Sequence, residues 1–405
     1  MNVELLIVGT EVLRGRTEES NEVWLARALD AAGLCVRRIT VIGDDREQIA
    51  AQLGAAAGRA GAVIVTGGLG PTVDDVTREA AIDAFGGESD LRPEIVREIE
   101  RRFEQFGFPM PEGYRALGRI PSGAQVIENR IGAAPGLRIV RGGCRLFLLP
   151  GVPAEMREIF TRAVLPALVP DGSLAGEVLR IFGIGETGVE ERLVEVFGTP
   201  LPAGLSIISG PSGVGVYLPA GVAPEAVGRL RAVLGPDLFG GGNDRLEEVA
   251  LRLLRQRGAS LATAESVTGG LVASMLVSVP GASESLLEGY VTYSNESKTR
   301  LLGVGAAILE EFGAVSAEVC GLMAEGALRA SGADYAVSTT GIAGPGGASE
   351  GKPAGLCFVG LASRAGTRRR ELRSAGERET IRFRTACAAI DLLRRELAGS
   401  GEEGR

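Results

Sequence analysis

Ser266 stands in the stretch AESVTGG, residues 264–270, between an acid and a pair of glycines. A serine just ahead of a helix is a candidate nucleophile, because the free N–H groups of that helix can stabilise an oxyanion. Its proton has no imidazole to go to, since the 405 residues contain no histidine. Ser-His-Asp triads, H-E-x-x-H zinc sites and histidine general bases are excluded. A lysine desolvated beside a serine can lose its charge and accept the hydroxyl proton, with a tyrosine helping to relay it. Lys298 and Tyr293, in VTYSNESK, supply both groups. Thr340, in STTGIAGPGG, ends a third segment of the same kind. The residues taken alone leave a structural account open: Ser266 and Thr268 as helix caps, Tyr293 in a core, Lys298 on a solvated helix face.

A second constellation lies near the start of the chain, in GTEVLRGRTEESN and VTGGLGPTVDDVTREA. Gly67, Gly68, Leu69 and Gly70 follow an apolar run, and small residues there let backbone amides approach an anion. Pro71 and Thr72 come next, then the adjacent carboxylates Asp74 and Asp75. Those acids stand at a helix start, so capping and dipole stabilisation compete with metal binding for them. Without histidine or paired cysteines, any metal must be a hard cation held by carboxylates.

Both constellations need strand ends to carry them. VELLIVG, CVRRITVIG and GAVIVTGG read as strands separated by amphipathic helices, which predicts a parallel sheet with ligands at its carboxyl ends. From about residue 246 the alternation resumes, and three strands end in TAESVTGG, VTYSNESK and STTGIAGPGG. In a parallel sheet those ends share one edge, so Ser266, Tyr293, Lys298 and Thr340 can converge. Between the two lies a strand–helix–strand–strand–helix pattern, bounded by ALVPDGSLAG and GGGNDR. The expected organisation is α/β: two parallel-sheet α/β domains, 1–168 and 246–398, joined by a small α+β domain, 169–245, with a tail at 399–405. The motif GIGETG, residues 183–188, fits G-x-G-x-x-G, but TPLPAGLSIISG downstream lacks the acid a dinucleotide site needs. The arginines of RAGTRRRELR read as a solvated strand edge.

A net charge of -8 argues against general nucleic-acid binding, which leans on a basic surface. The five cysteines are far apart, no apolar run reaches the roughly 18–20 residues of a membrane span, and MNVELLIVGTEV lacks a basic leader region. The expectation is a cytoplasmic protein with reduced thiols and no membrane partner.

TAESVTGG, GYVTYSNESK, GAVS and GIAGPGGASEGKPAG resemble the C-terminal domain of the CinA family, the nicotinamide-nucleotide amidase module, over roughly 246–396. The resemblance implies hydrolysis of nicotinamide mononucleotide to nicotinate mononucleotide and ammonia, without a cofactor. Carried over, Ser266 is the nucleophile, Lys298 the base and Tyr293 an aid to proton transfer. Glu265, Thr268, Gly269, Thr340, Gly341, Ile342 and Ala343 belong to the substrate pocket, the amides of 340–343 holding polar oxygens. Arg378 and Arg382, in GERETIR, are the candidate phosphate partners, because arginine clamps phosphate bidentately. Residues 1–165 are similar to the molybdopterin-binding domain shared by cofactor-biosynthesis proteins and the CinA family, on GTE, TGGLGPT-DD-TREA and LLPGVPAEM. That similarity implicates Glu11, Asn21, Gly67, Gly68, Leu69, Gly70, Pro71, Thr72 and Thr77, with Asp74 and Asp75 at a divalent metal, and ENRIGAAPG and PGVPAEM at the rim. It implies a metal-dependent ADP-ribose pyrophosphatase, a KH-like middle domain and a homodimer. The alternative is a non-catalytic protein that binds molybdopterin or a nucleotide, or serves as a scaffold.

Overall fold

The computed structural model describes residues 1–16, 21–105, 107–169 and 176–399. The chain divides into two compact units, Met1–Gly176 and Glu177–Arg405. The 170–175 part of the expected linker, residues 17–20 of the first motif and the tail from 400 lie outside the described residues.

The first unit is built on a six-stranded sheet. Its strands are β1 (Asn2–Val8), β2 (Cys35–Ile42), β3 (Ala62–Thr66), β4 (Gln125–Ile127), β5 (Gly136–Arg141) and β6 (Cys144–Leu149), in the order β2-β1-β3-β6-β5-β4. β1 lies parallel to β2 and β3, and β3 parallel to β6. The sequence of β3, AVIVT, is buried at all five positions. Unbroken apolar runs of this kind suit strands covered on both faces. Successive side chains alternate: Leu6, Val63 and Val65 enter one core, Leu5, Ile7 and Ile64 the other. β5 and β6 run antiparallel because only Gly142 and Gly143 join them, too few residues for a parallel crossover. The α/β class stands, but the sheet is mixed rather than wholly parallel. The chain leaves β1 for β2 on one side and then crosses to β3 on the other, which opens a crevice at the carboxyl ends of β1 and β3.

The second unit holds two sheets. β7 (Glu177–Ile181), β8 (Ser206–Gly210), β9 (Gly213–Leu218) and β10 (Leu238–Gly241) form an antiparallel sheet in the order β8-β9-β7-β10. Leu179 and Val216 of this sheet pack against Leu193 and Leu230 of two helices. GIGETG follows β7, but among the described residues no strand in this sheet pairs in parallel, so no dinucleotide βαβ unit is formed by them.

The other sheet comprises β11 (Leu261–Glu265), β12 (Leu286–Val291), β13 (Tyr335–Gly341), β14 (Leu356–Ser363) and β15 (Gly366–Arg373), in the order β12-β11-β13-β14-β15. β12, β11 and β13 are parallel, while β14 and β15 return antiparallel. β15 is the edge strand, and Arg368, Arg369 and Arg373 on it are exposed. Helices α1 (Leu271–Val277), α2 (Asn295–Leu302), α3 (Ala317–Ser331) and α4 (Arg378–Leu397) cover the two faces. Here too the chain goes first to one neighbour of the central strand and then to the other, so a second crevice opens at the ends of β11 and β13. Buried Asp391 on α4 pairs with Arg394 and Arg395, and Arg395 continues to Asp237 beside β10. Among the described residues no helix is long and apolar enough to cross a membrane.

Candidate functional site

The crevice at β11 and β13 encloses about 290 Å³. Ser266 is the first residue beyond β11, and its N–H donates to Thr339 O on β13 at 3.0 Å. Lys298 sits in the first turns of α2, whose start is set by Ser294 accepting from the Ser297 N–H. That start aims the lysine back under the sheet, where it is 1% exposed. Its Nζ lies 3.1 Å from Ser266 Oγ, 2.8 Å from Thr292 O and 3.3 Å from Tyr293 O. Burial pushes the amine below the usual lysine range. A neutral amine fits this cage: two hydrogens go to two carbonyls, and the lone pair faces the serine hydroxyl.

Tyr293 lines the pocket, yet it is 68% exposed and meets Lys298 through its carbonyl. The serine and lysine touch directly, so the geometry requires no phenolic relay. Thr340, Gly341, Ile342 and Ala343 line the pocket as expected from the strand end. The expectation that their amides hold ligand oxygens needs correcting at Ile342, whose N–H donates to Leu356 O at 2.9 Å. The Thr340 hydroxyl is likewise tied to Ala314 O, at 2.7 Å. Arg378, at the start of α4, lines the pocket and is anchored on Gly344 O at 2.8 Å.

Glu265, Thr268, Gly269 and Arg382 are not among the residues that line the pocket. The Glu265 carboxylate, 1% exposed, accepts from the Gly270, Val272 and Ala273 N–H groups and from the Thr268 hydroxyl. The α1 amides assigned to an oxyanion are therefore already occupied. Arg382 donates to Thr268 O at 2.8 Å and pairs with Glu379, so it braces the turn. The turn needs glycine at Gly269 and Gly270, which adopt φ of +60° and +95°. Sequence reasoning missed Val267, Ala314, Val315, Gly346 and Gly347 on the lining. One signal would have strengthened Lys298: of the 43 lysines and arginines, only Lys298 and Lys352 are lysines. Arginine stays protonated, so lysine is the cation to keep where a proton must leave.

The crevice of the first unit is larger, about 480 Å³. Glu11, Asn21, Gly67, Gly68, Gly70, Pro71, Asp74 and Asp75 line it, with Asp44, Tyr114 and Glu155. Asn21 donates to Gly151 O at 2.8 Å and so joins the start of its helix to the rim. Leu69 is buried in the core, and Thr72 and Thr77 support the loop without lining the cavity. Gly67 closes against β1 so tightly that a Cβ would stand 2.0 Å from Val8 O. All four loop carbonyls are turned inward: Gly67 O takes the Thr77 hydroxyl, Gly68 O the Thr77 N–H, and Leu69 O and Gly70 O the guanidinium of Arg78. Arg78 is 3% exposed, and the pattern of the chain did not single it out. With the carbonyls inward, the Gly68, Leu69 and Gly70 amides carry no partner among the described residues. Such amides form an anion cradle.

Whether a divalent metal fits depends on how the carboxylates are held. Among the described residues no group of three or more His, Cys, Asp or Glu is arranged to hold an ion. Asp75 bends back to accept from the Thr72 N–H at 2.9 Å and from its hydroxyl at 2.5 Å, which ties the loop together; it does not cap the helix Thr77–Phe85, whose start carries no side-chain cap. The Thr72 hydroxyl also holds the Asp74 carboxyl below its usual range. A closed protein cage does not fit, whereas a hard cation shared between one carboxylate and ligand phosphates does.

Residues 243–397 match the family model described as "CinA C-terminal domain", and residues 4–169 the one described as "Probable molybdopterin binding domain". A "Putative competence-damage inducible protein" from Caldicellulosiruptor saccharolyticus is 39% identical over 408 residues, covering 98% of this chain and 99% of that protein. A "CinA-like protein" from Kosmotoga olearia is 38% identical over 408 residues, with coverage of 98% and 99%. The crystal structure of a competence/damage inducible protein CihA from Agrobacterium tumefaciens is 42% identical, covering 38% of this chain and 95% of that one, with a TM-score of 0.36.

Proposed function

The chain belongs to the CinA family, and from that premise we propose that its C-terminal pocket hydrolyses the carboxamide of nicotinamide mononucleotide. The observation that carries this reading is the buried Lys298 amine at 3.1 Å from Ser266 Oγ, in a cage of carbonyls. Ser266 Oγ attacks the carboxamide carbon while its proton passes to Lys298 Nζ. The C–N bond breaks as Lys298 returns that proton to the leaving nitrogen, releasing ammonia and leaving an ester on Ser266. Water then attacks the ester, its proton passes to Lys298 and on to Ser266 Oγ, and nicotinate mononucleotide departs. Arg378 at the lining is the candidate partner for the phosphate.

The inward carbonyls at Gly67–Gly70 favour a second reading for the first unit: it binds a phosphorylated ligand through loop amides. ADP-ribose with a divalent cation suits it, the ion being held by Asp74 together with the diphosphate. When bound, the cation supplies charge neutralisation at the phosphates. Binding of a phosphorylated pterin without chemistry suits the same cradle. The purified protein is to be incubated with nicotinamide mononucleotide and with ADP-ribose, with and without divalent metal. Ammonia released without metal dependence supports the amidase reading, and its absence overturns it. Metal-dependent AMP release supports hydrolysis in the first unit, and binding without AMP leaves a carrier.

A further inference from the structure

An acid next to a nucleophile usually suggests proton chemistry or substrate contact, and Glu265 has neither. It ends β11, where side chains alternate between faces, so Glu265 and Ser266 diverge. Ser266 goes to the pocket, Glu265 to the buried side beneath α1. Its Oε2 accepts from the Thr268 hydroxyl at 2.7 Å and from the Gly270 and Val272 N–H groups at 2.9 and 3.0 Å. Its Oε1 accepts from the Ala273 N–H at 2.9 Å. The Thr268 hydroxyl is also 2.6 Å from Thr339 Oγ1, which links this network to β13.

Most backbone donors of the turn and of the first residues of α1 are taken. Ser266 N–H goes to Thr339 O, Gly269 N–H to Ser266 O, and Leu271 N–H to Thr268 O. Gly270, Val272 and Ala273 go to Glu265. Val267 and Thr268 remain, with no N–H partner among the described residues. Of these two, Val267 lines the pocket. The residue after a nucleophile is well placed to donate to the oxygen of the carbonyl it attacks.

Resting on the amidase reading above, we infer that Glu265 is a positioning residue for Ser266: its buried carboxylate gathers the amides of α1, fixes the Ser266–Gly270 turn, and leaves the Val267 N–H as the turn's donor for an oxyanion. The carboxylate suits this place because it has acceptor oxygens only, and each oxygen faces at least one N–H or O–H. Glutamine has the same size but turns an NH₂ group toward one of those donors. The turn must then shift, and shifts of about 1 Å at reacting atoms cost up to about 100-fold in rate. Arg382 braces the same turn from outside through Thr268 O, so the displacement is local rather than an unfolding.

The test uses the full-length protein and a fluorophosphonate probe, which reports Ser266 reactivity without reference to any natural substrate. Ser266 Oγ forms a bond to phosphorus, fluoride leaves, and the hydroxyl proton passes to Lys298. Adduct formation is followed by mass spectrometry in the wild type, Glu265→Gln and Glu265→Ala, well below their melting temperatures. The expected result for Glu265→Gln is labelling slowed by about 10- to 100-fold, with a matching fall in kcat on nicotinamide mononucleotide and KM within about threefold. Glu265→Gln labelling at the wild-type rate, with only the melting temperature lowered, overturns the inference, because a merely structural role predicts that. A wild type that labels at Ser266 but releases no ammonia defeats the amidase reading alone. The ratio of labelling rates then still decides the role of Glu265.

Discussion

The Gly67–Gly70 loop follows the third strand of its sheet and the Ser266–Gly270 turn the first strand of its own; each borders its sheet's crevice, yet they present opposite backbone polarity. Beneath the first, Arg78 and Thr77 collect carbonyl oxygens, so the amides are left to face a ligand. Beneath the second, Glu265 collects amides. The sign of one buried charge thus decides which face of a glycine-rich loop is offered. A loop that offers amides can hold an anion but brings no base or nucleophile of its own. A turn most of whose amides are consumed has to carry its nucleophile and base on side chains, and here Ser266 and Lys298 do so, with the Val267 N–H left over as a donor.

The comparison breaks most visibly if the side chains of the second site are removed. Ser266→Ala is expected to lower ammonia release from nicotinamide mononucleotide by about 1,000-fold or more while binding persists, measured by turnover and calorimetry. Lys298→Met should fall by about 100- to 10,000-fold, since among the described residues no other base meets the hydroxyl. Its melting temperature should hold or rise, because a buried amine is exchanged for an apolar chain of similar size. Neither change should alter ligand binding in the first unit.

The reverse experiment is Arg78→Met, which frees the Leu69 and Gly70 carbonyls. ADP-ribose affinity should drop about 10- to 100-fold by calorimetry, in line with the ~1.5–3 kcal/mol of hydrogen bonds to a charged group, while ammonia release is unchanged. Unchanged ADP-ribose binding would end the polarity argument. Asp74→Asn should be milder, raising the divalent metal needed for ADP-ribose binding about tenfold, because one of the ion's oxygen ligands loses its charge.

The smallest effect is in pH. The folded Lys298 amine releases its proton at lower pH than the unfolded one, whose value is about 10.4. Between the two values the unfolded chain binds more protons, so stability rises with pH, by at most about 1.4 kcal/mol per unit. Ammonia release should climb over the acid side of that window as the amine is freed. Lys298→Met should remove the stability increment, as followed by denaturant titration.

Much of the architecture could be read from the chain, because AVIVT, LATAE and the glycines after them announce buried parallel strands and the ends where ligands sit. Ser266, Lys298 and the Gly67–Gly70 loop were legible for the same reason. The antiparallel returns at β5 and β14 were not, since a buried strand shows the same apolar pattern whichever way it runs. Glu265 and Arg382 were placed in the pocket and Arg78 was overlooked. Each is a charged residue beside a motif, and charge next to a motif does not say which side of a strand or helix it occupies.

The amino-acid sequence by itself determined which groups were available: no histidine, two lysines among 43 basic side chains, and serine and glycine at the ends of apolar strands. Only the tertiary structure decided that Lys298 is dry and touches Ser266, and that Glu265 turns away to hold α1. The reason is that desolvation and hydrogen-bond partnership come from what packs around a side chain, and Lys298 lies 32 residues from the serine it meets.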